Sequence, residues 1–252
     1  MGELHLEVSV ERLRQENRLE IERKQQKVSY RESITKKLEN VEAQYKKQSG
    51  GSGHFARIWI NFEPNEGKGF EFVDKTSGQG MDKKKGEVEE VRKGLEEAMS
   101  FGLLLNYSLL DLKAILIKGQ RHEVDTKPGD FKNAAILALR GDGMEERKKR
   151  IQELGVALLE PIMQVEIIVP RDYMGDVLAD LGSRRAMIEN TEEKEGAVYI
   201  NGEIPLKEIL SYSVTLRQLT KGRGEYSMHL IRYQKVPENV LEEILKEEKL
   251  RL

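Results

Sequence analysis

Cysteine is absent from the 252 residues of this chain, which excludes disulfides and thiolate metal ligands and fits a reducing compartment. Long apolar runs are absent too, so no segment reads as a membrane span. The opening stretch, MGELHLEVSVERLRQE, lacks the basic start and apolar core of a secretory signal. An excess of either charge is also missing: 42 Lys and Arg face 44 Asp and Glu, leaving a net charge of −2. No global basic field therefore calls for nucleic acid, and any RNA contact would have to come from a local patch. These absences point to a soluble, cytoplasmic chain with no membrane partner, and a monomer is expected. Its length suits one large domain or two small ones.

Periodicity divides what is there into three regions. MGELHLEVSVERLRQE alternates apolar and polar residues before shifting to helical spacing. NRLEIERKQQKVSYRESI reads as a strand or strand pair. This opening piece is too small to bury a core and is expected to be half a domain. From about Val41 to Ile151, HFARIWINFEP alternates with Phe55, Arg57, Trp59 and Asn61 on one face and Ala56, Ile58, Ile60 and Phe62 on the other, the signature of a strand. GEVEEVRKGLEEAMSFG sets Val88, Val91, Leu95, Ala98 and Met99 on one helical stripe, with Gly102 as its C-cap. LLDLKAILIKG is a buried strand and FKNAAILALR a covered helix, while RGDGMEERKKRIQELG is a charged helical excursion with a solvated face. From Leu158 to about Val236 the order is βαββαβ, a ferredoxin-like unit, with Pro205 at the first position of its second helix. PENVLEEILKEEKLRL is a terminal helix. The fold class is α+β.

Candidate chemistry is sparse. The glycine-rich QSGGSGH at 48–54 is not a P-loop, because His54 and Phe55 follow Gly53 where Lys-Ser/Thr would be needed, and a strand follows where a helix would be needed. RHEVDTKPGD gathers His122, Glu123, Asp125 and Asp130, a set that could hold a divalent ion or perform acid–base chemistry. Pro128 and Gly129 give this stretch the composition of an exposed loop, and no second segment supplies a partner set. No catalytic or metal residue is assigned. Arg184, Arg185, Lys221 and Arg223 form a candidate basic patch for RNA or protein, although such arginines are more often surface charges.

Several motifs carry a family likeness. MGELHLEV, YKKQSGGSGHF, HEVDTKPGDFKNAA, LLEPIMQVEIIVP, GDVLADLGSRRAMI, GEIPLKEILSYSVTLRQLTKGRGEYSMHLIRY and VPENV occur in this order. Together they resemble the C-terminal part of bacterial elongation factor G, over nearly the whole chain. The resemblance implies a partial ferredoxin-like third domain at 1–35, a fourth domain like the second domain of ribosomal protein S5 at 36–157, and a ferredoxin-like fifth domain at 158–252. It implies a ribosomal partner, with the tip of the fourth domain entering the decoding site beside rRNA, tRNA and mRNA to promote translocation. The tip residues would be Gly50, Gly51, Ser52, Gly53, His54, His122, Glu123 and Asp125. GTP and Mg²⁺ would be bound only by an N-terminal part, so this chain itself would hold no cofactor and perform no hydrolysis.

The likeness has departures. The family's first tip loop usually carries arginine where Ser52 stands and Gln-Tyr where His54-Phe55 stands, which removes a phosphate contact. TSGQGMDKKKGEVEEV lacks the family's Ile-Pro and aromatic residues. These changes keep open a divergent paralogue for ribosome recycling or protection. A protein-interaction module that ignores ribosomes is the alternative of a different class.

Overall fold

In the computed structural model, which describes residues 3–17, 27–49, 52–77 and 80–249, the opening stretch forms a helix, α1 (Glu3–Asn17). The alternation of ELHLEVSV suggested extended chain. However, the segment contains neither proline nor glycine, and pairs four residues apart, such as Arg12 to Glu16 at 2.7 Å, support the helix. Residues 18–26, part of the expected strand pair, lie outside the described residues. The strand that follows, β1 (Arg31–Ile34), is short.

The chain gathers into two units, 30–159 with 235–252, and 1–29 with 160–234. In the first, β2 (Leu38–Ser49), β3 (Ser52–Pro64), β4 (Glu71–Asp74) and β5 (Leu112–Arg121) form a sheet in the order β2-β3-β5-β4. The β4–β5 pair is parallel and is connected through α2 (Glu87–Phe101), while the other pairs are antiparallel. The alternation read in β3 holds: Ala56, Ile58, Ile60 and Phe62 are fully buried. They share a core with Val91, Leu95 and Ala98 of α2 and with Phe131, Ala134, Ala135, Ala138 and Leu139 of α3 (Asp130–Arg140). The charged excursion is α4 (Gly143–Leu154), with only Leu154 buried. The beginning of β6 (Val156–Pro170) pairs with β1.

A buried carboxylate organises this unit. Glu32 of β1 is fully buried. It accepts hydrogen bonds from the backbone N–H groups of Leu103, Leu104, Leu105 and Tyr107 at 2.5 to 3.2 Å. Its own backbone bonds Ser108 and Leu110. Gly102 adopts φ 58°, and a Cβ there would lie 1.9 Å from the Tyr107 carbonyl oxygen and 2.8 Å from Glu32 Oε2. Only glycine fits this approach. Arg147 of α4 secures the same loop by donating to the Leu103 carbonyl and to Asn106 Oδ1.

In the second unit, β6 is flanked by β9 (Glu225–Lys235) on one side and by β8 (Ala197–Pro205) and then β7 (Met187–Lys194) on the other. Taken in chain order the strands stand 4-1-3-2, the ferredoxin-like arrangement expected from the βαββαβ order. Helices α5 (Met174–Ser183) and α7 (Tyr212–Leu219) supply Val177, Leu181, Tyr212 and Leu216 to its core. The helix expected to open at Pro205 is divided. Pro205 ends β8 and precedes a single turn, α6 (Leu206–Ile209), and Ser211 at φ 59° then separates that turn from α7. The terminal helix α8 (Glu238–Lys249) groups with the first unit, although the sequence reading set it with the second. The Val236 N–H bonds the Leu158 carbonyl, and Val236, Val240 and Ile244 are buried.

Two outcomes follow. Glu32→Gln keeps the shape but turns an amide toward N–H donors. It should cost about 3 kcal/mol, read by chemical denaturation; a loss below about 1 kcal/mol would remove the carboxylate from its organising role. Tyr212 is fully buried, and its hydroxyl has no hydrogen-bond partner among the described residues. Burial, with Asp180 nearby, raises its pKa from 10.0 to about 12. The folded state therefore disfavours the phenolate, and stability is complete below pH 10 and falls as pH rises through the window toward 12. Tyr212→Phe should match or exceed the parent's melting temperature at neutral pH and gain on it across that window. Parallel curves for the two proteins would contradict the assignment.

Candidate nucleic-acid interface

The glycine-rich stretch forms the end of a hairpin. Ser49 of β2 pairs with Ser52 of β3, so the strands are joined through Gly50 and Gly51, which lie outside the described residues. Such Gly-Gly connections are a known hairpin signal. Because Ala56 of β3 pairs with Arg121 of β5, the loop that begins at His122 leaves the same end of the sheet. The structure thus brings Gly53 and His54 together with the 122–130 loop.

Asp130, the first residue of α3, ties the two segments. Its side chain is 2% exposed, and its Oδ1 lies 2.8 Å from His54 Nδ1. Oδ2 accepts from the backbone N–H of Phe55 at 3.2 Å and of Lys127 at 2.9 Å. Thr126 adds a second tie: its hydroxyl donates to the Phe55 carbonyl at 2.6 Å and accepts from the His122 N–H at 2.8 Å. Glu90 of α2 accepts from the Gly129 N–H, capping the entry to α3. At Gly53 a Cβ would fall 2.5 Å from Asp125 Oδ1, so the missing side chain lets the hairpin end close on the second loop. His122 Nδ1 is 3.3 Å from the Asp125 N–H nitrogen and 3.1 Å from Asp125 Oδ2. It accepts from the first in its neutral tautomer and donates to the second when protonated.

Asp130 carries the geometry, yet its neighbours drew attention first because an isolated sequence does not show which acid is buried. Glu123 is exposed, and Val124 beside it is 79% exposed, an apolar residue at the very end that charge-based reading passed over. Among the described residues no three His, Asp or Glu side chains are grouped to hold a metal ion. A cleft of about 530 Å³ lined by Gly80, Met81, Asp82, Lys83, Lys84 and Arg121 was also missed. Two of its cations are already engaged, Lys83 with Asp74 and Arg121 with Asp82.

The four candidate basic residues of the second unit divide. Arg184 pairs with Asp180 at 2.7 Å, donates to the Glu208 carbonyl and lies 5.2 Å from the Tyr212 ring centre. Arg185 forks onto Glu160, whose side chain is 2% exposed. These two guanidiniums join α5 and the turn after it to neighbouring elements of their own unit. Lys221 and Arg223 sit on the exposed turn before β9, with Arg223 stacked 4.9 Å from the Tyr173 ring and hydrogen-bonded to its hydroxyl.

Comparison with known proteins places this geometry. The sequence profile of elongation factor G, domain IV, matches residues 26–145, and that of the elongation factor G C-terminus matches residues 157–244. Elongation factor G of Mycoplasma pneumoniae is 42% identical over 245 residues, covering 97% of this chain and 34% of that protein. Its counterpart in Mycoplasma genitalium is 41% identical over 249 residues, 99% of this chain and 35% of that protein. A crystal structure from Thermus thermophilus superposes with a TM-score of 0.84 at 34% identity, over 99% of this chain and 36% of the other. The chain thus spans about a third of the length of these relatives. With both profiles falling in order along it, the chain belongs to the elongation factor G family, over the part described as domain IV and the C-terminus.

Proposed function

We infer that this chain acts on the ribosome as the C-terminal part of a translocation factor, with the end of the 30–159 unit as its RNA-facing tip. The observation that carries this reading is the clamp at Asp130, which holds His54 and the His122 loop together at one end of a sheet. Glycine backbone and imidazole edges suit close approach to ribose, phosphate and unstacked bases. Such a tip needs no bond-making chemistry. It works by being stiff and by fitting between tRNA, mRNA and rRNA at the decoding site, and on this reading GTP hydrolysis with Mg²⁺ is no task of these residues. On this reading the end of the third domain, expected at 1–35, the fourth at 36–157 and the fifth at 158–252 follow in order, with β1 and α8 grouping with the fourth. Lys221 and Arg223 are the better placed of the four candidate cations for a second contact.

Co-sedimentation with bacterial ribosomes over a salt series tests the tip. His54→Ala with His122→Ala should weaken binding about tenfold, the loss expected for one or two good hydrogen bonds. Unchanged binding by that double variant would refute the tip assignment. Asp130 supplies a separate check by denaturation. Asp130→Ala strands two backbone N–H groups and should cost about 3 kcal/mol. Asp130→Asn, which can keep its oxygen for those donors and turn its amide to His54 Nδ1, should cost less than about 1 kcal/mol.

A further inference from the structure

The sheet of the 30–159 unit has a second face that the tip reading does not use. Its core face meets α2 and α3 through Ala56, Ile58, Ile60 and Phe62. On the opposite side of β3 stand Phe55, Arg57 and Trp59, each partly exposed. Across β2 their neighbours are Lys46, Gln44 and Glu42, and across β5 Gln120 lies beside Arg57 and Lys118 beside Trp59. Lys46, Lys118 and Gln120 are exposed. The Trp59 ring has the Lys118 ammonium 4.9 Å and the Arg57 guanidinium 5.6 Å from its centre, and its indole N–H donates to Glu42 at 3.1 Å. Arg57 in turn donates to Gln44 Oε1 at 2.9 Å and pairs with Glu42.

We propose that this face, from Phe55 to Trp59, is a stacking platform for an unpaired RNA strand. Aromatic, cation and aromatic follow one another along β3 on one side, with the two rings about 13 Å apart along the strand. Rings on an open sheet flanked by Lys and Arg are the arrangement that holds splayed bases by stacking and the backbone by charge. Lys46, Arg57 and Lys118 outnumber the one anion of these rows, Glu42, in a chain whose net charge is −2. Gln44 and Gln120 put amide groups on either side of Arg57, in the row between the two rings. The Phe55 ring also meets His122 edge-on at 6.3 Å, so the stripe is continuous with the candidate tip. A duplex would offer neither free base faces nor a flat contact here, which is why the ligand is a single strand. The platform goes beyond the tip assignment and stands without it.

Trp59 is the chain's single tryptophan, so its emission reports on this face directly. Titrating the full chain with a short unstructured single-stranded RNA at low salt should quench that emission saturably, and added salt should weaken the effect. Anisotropy of the labelled RNA should show about a tenfold affinity loss for Trp59→Leu. Trp59→Phe, which keeps a stacking ring, should retain most of the affinity, and the double variant His54→Ala with His122→Ala should still be quenched. Absence of quenching in a chain with an unchanged circular dichroism spectrum would overturn the proposal. So would equal competition by duplex RNA or heparin, which would mean simple polyanion attraction. Unchanged RNA affinity in Trp59→Leu together with lost binding to ribosomal proteins would assign the face to protein and overturn it as well. Quenching that persists while ribosome co-sedimentation fails would count against the tip reading alone.

Discussion

A carboxylate survives inside a protein only where donors converge on it. Among the described residues Glu32, Glu87, Asp130 and Glu160 are the buried carboxylates, and three of them order the loops. Glu32 collects four backbone N–H groups of the loop after α2. Asp130 collects two N–H groups and His54. Glu160 meets the fork of Arg185. In each case the charge makes irregular backbone adopt one conformation, because any other would leave a buried ion unpaired. The sheet and helices supply the apolar core, and these acids decide how the loops leave it.

That division of labour explains how small glycine-rich segments can form a defined surface. The hairpin end at Gly53 has little side chain with which to fix itself. It gains its position from Asp125, whose carboxylate lies where a Cβ would be, and from the Asp130 and Thr126 bonds to Phe55. The second unit uses guanidiniums for a comparable purpose. Arg184 and Arg185 hold α5 and the following turn to Glu208, Asp180 and Glu160. Its sheet carries apolar residues at both edges, with Met187 on β7 and Met228 and Leu230 on β9 each at least 40% exposed.

Residue order by itself determined the elements whose periodicity a core must obey. The alternation of β3, the stripe of α2 and the βαββαβ order of the second unit all follow from burying one face, and each appears where the pattern puts it. The loss of the P-loop reading likewise needed only the residues after Gly53. Patterns failed where two geometries satisfy them equally: ELHLEVSV serves strand or helix, and it forms the first turns of α1, whose later turns carry the Arg12–Glu16 pair. Helix propensity also could not foresee that Ser211 in a left-handed conformation would split α6 from α7.

Only the tertiary structure decided which charges are surface and which are framework. Arg184 and Arg223 look alike in sequence, yet one is held by Asp180 and Glu208 while the other lies on an exposed turn. Asp125 and Asp130 are five residues apart, and only the second is buried. The reason is physical: hydrophobic periodicity is written along the chain, whereas the worth of a charge depends on donors brought to it from distant segments. The core could therefore be read in one dimension. The site, built by Asp130 from β3, the 122–130 loop and α3, existed only once those segments had met.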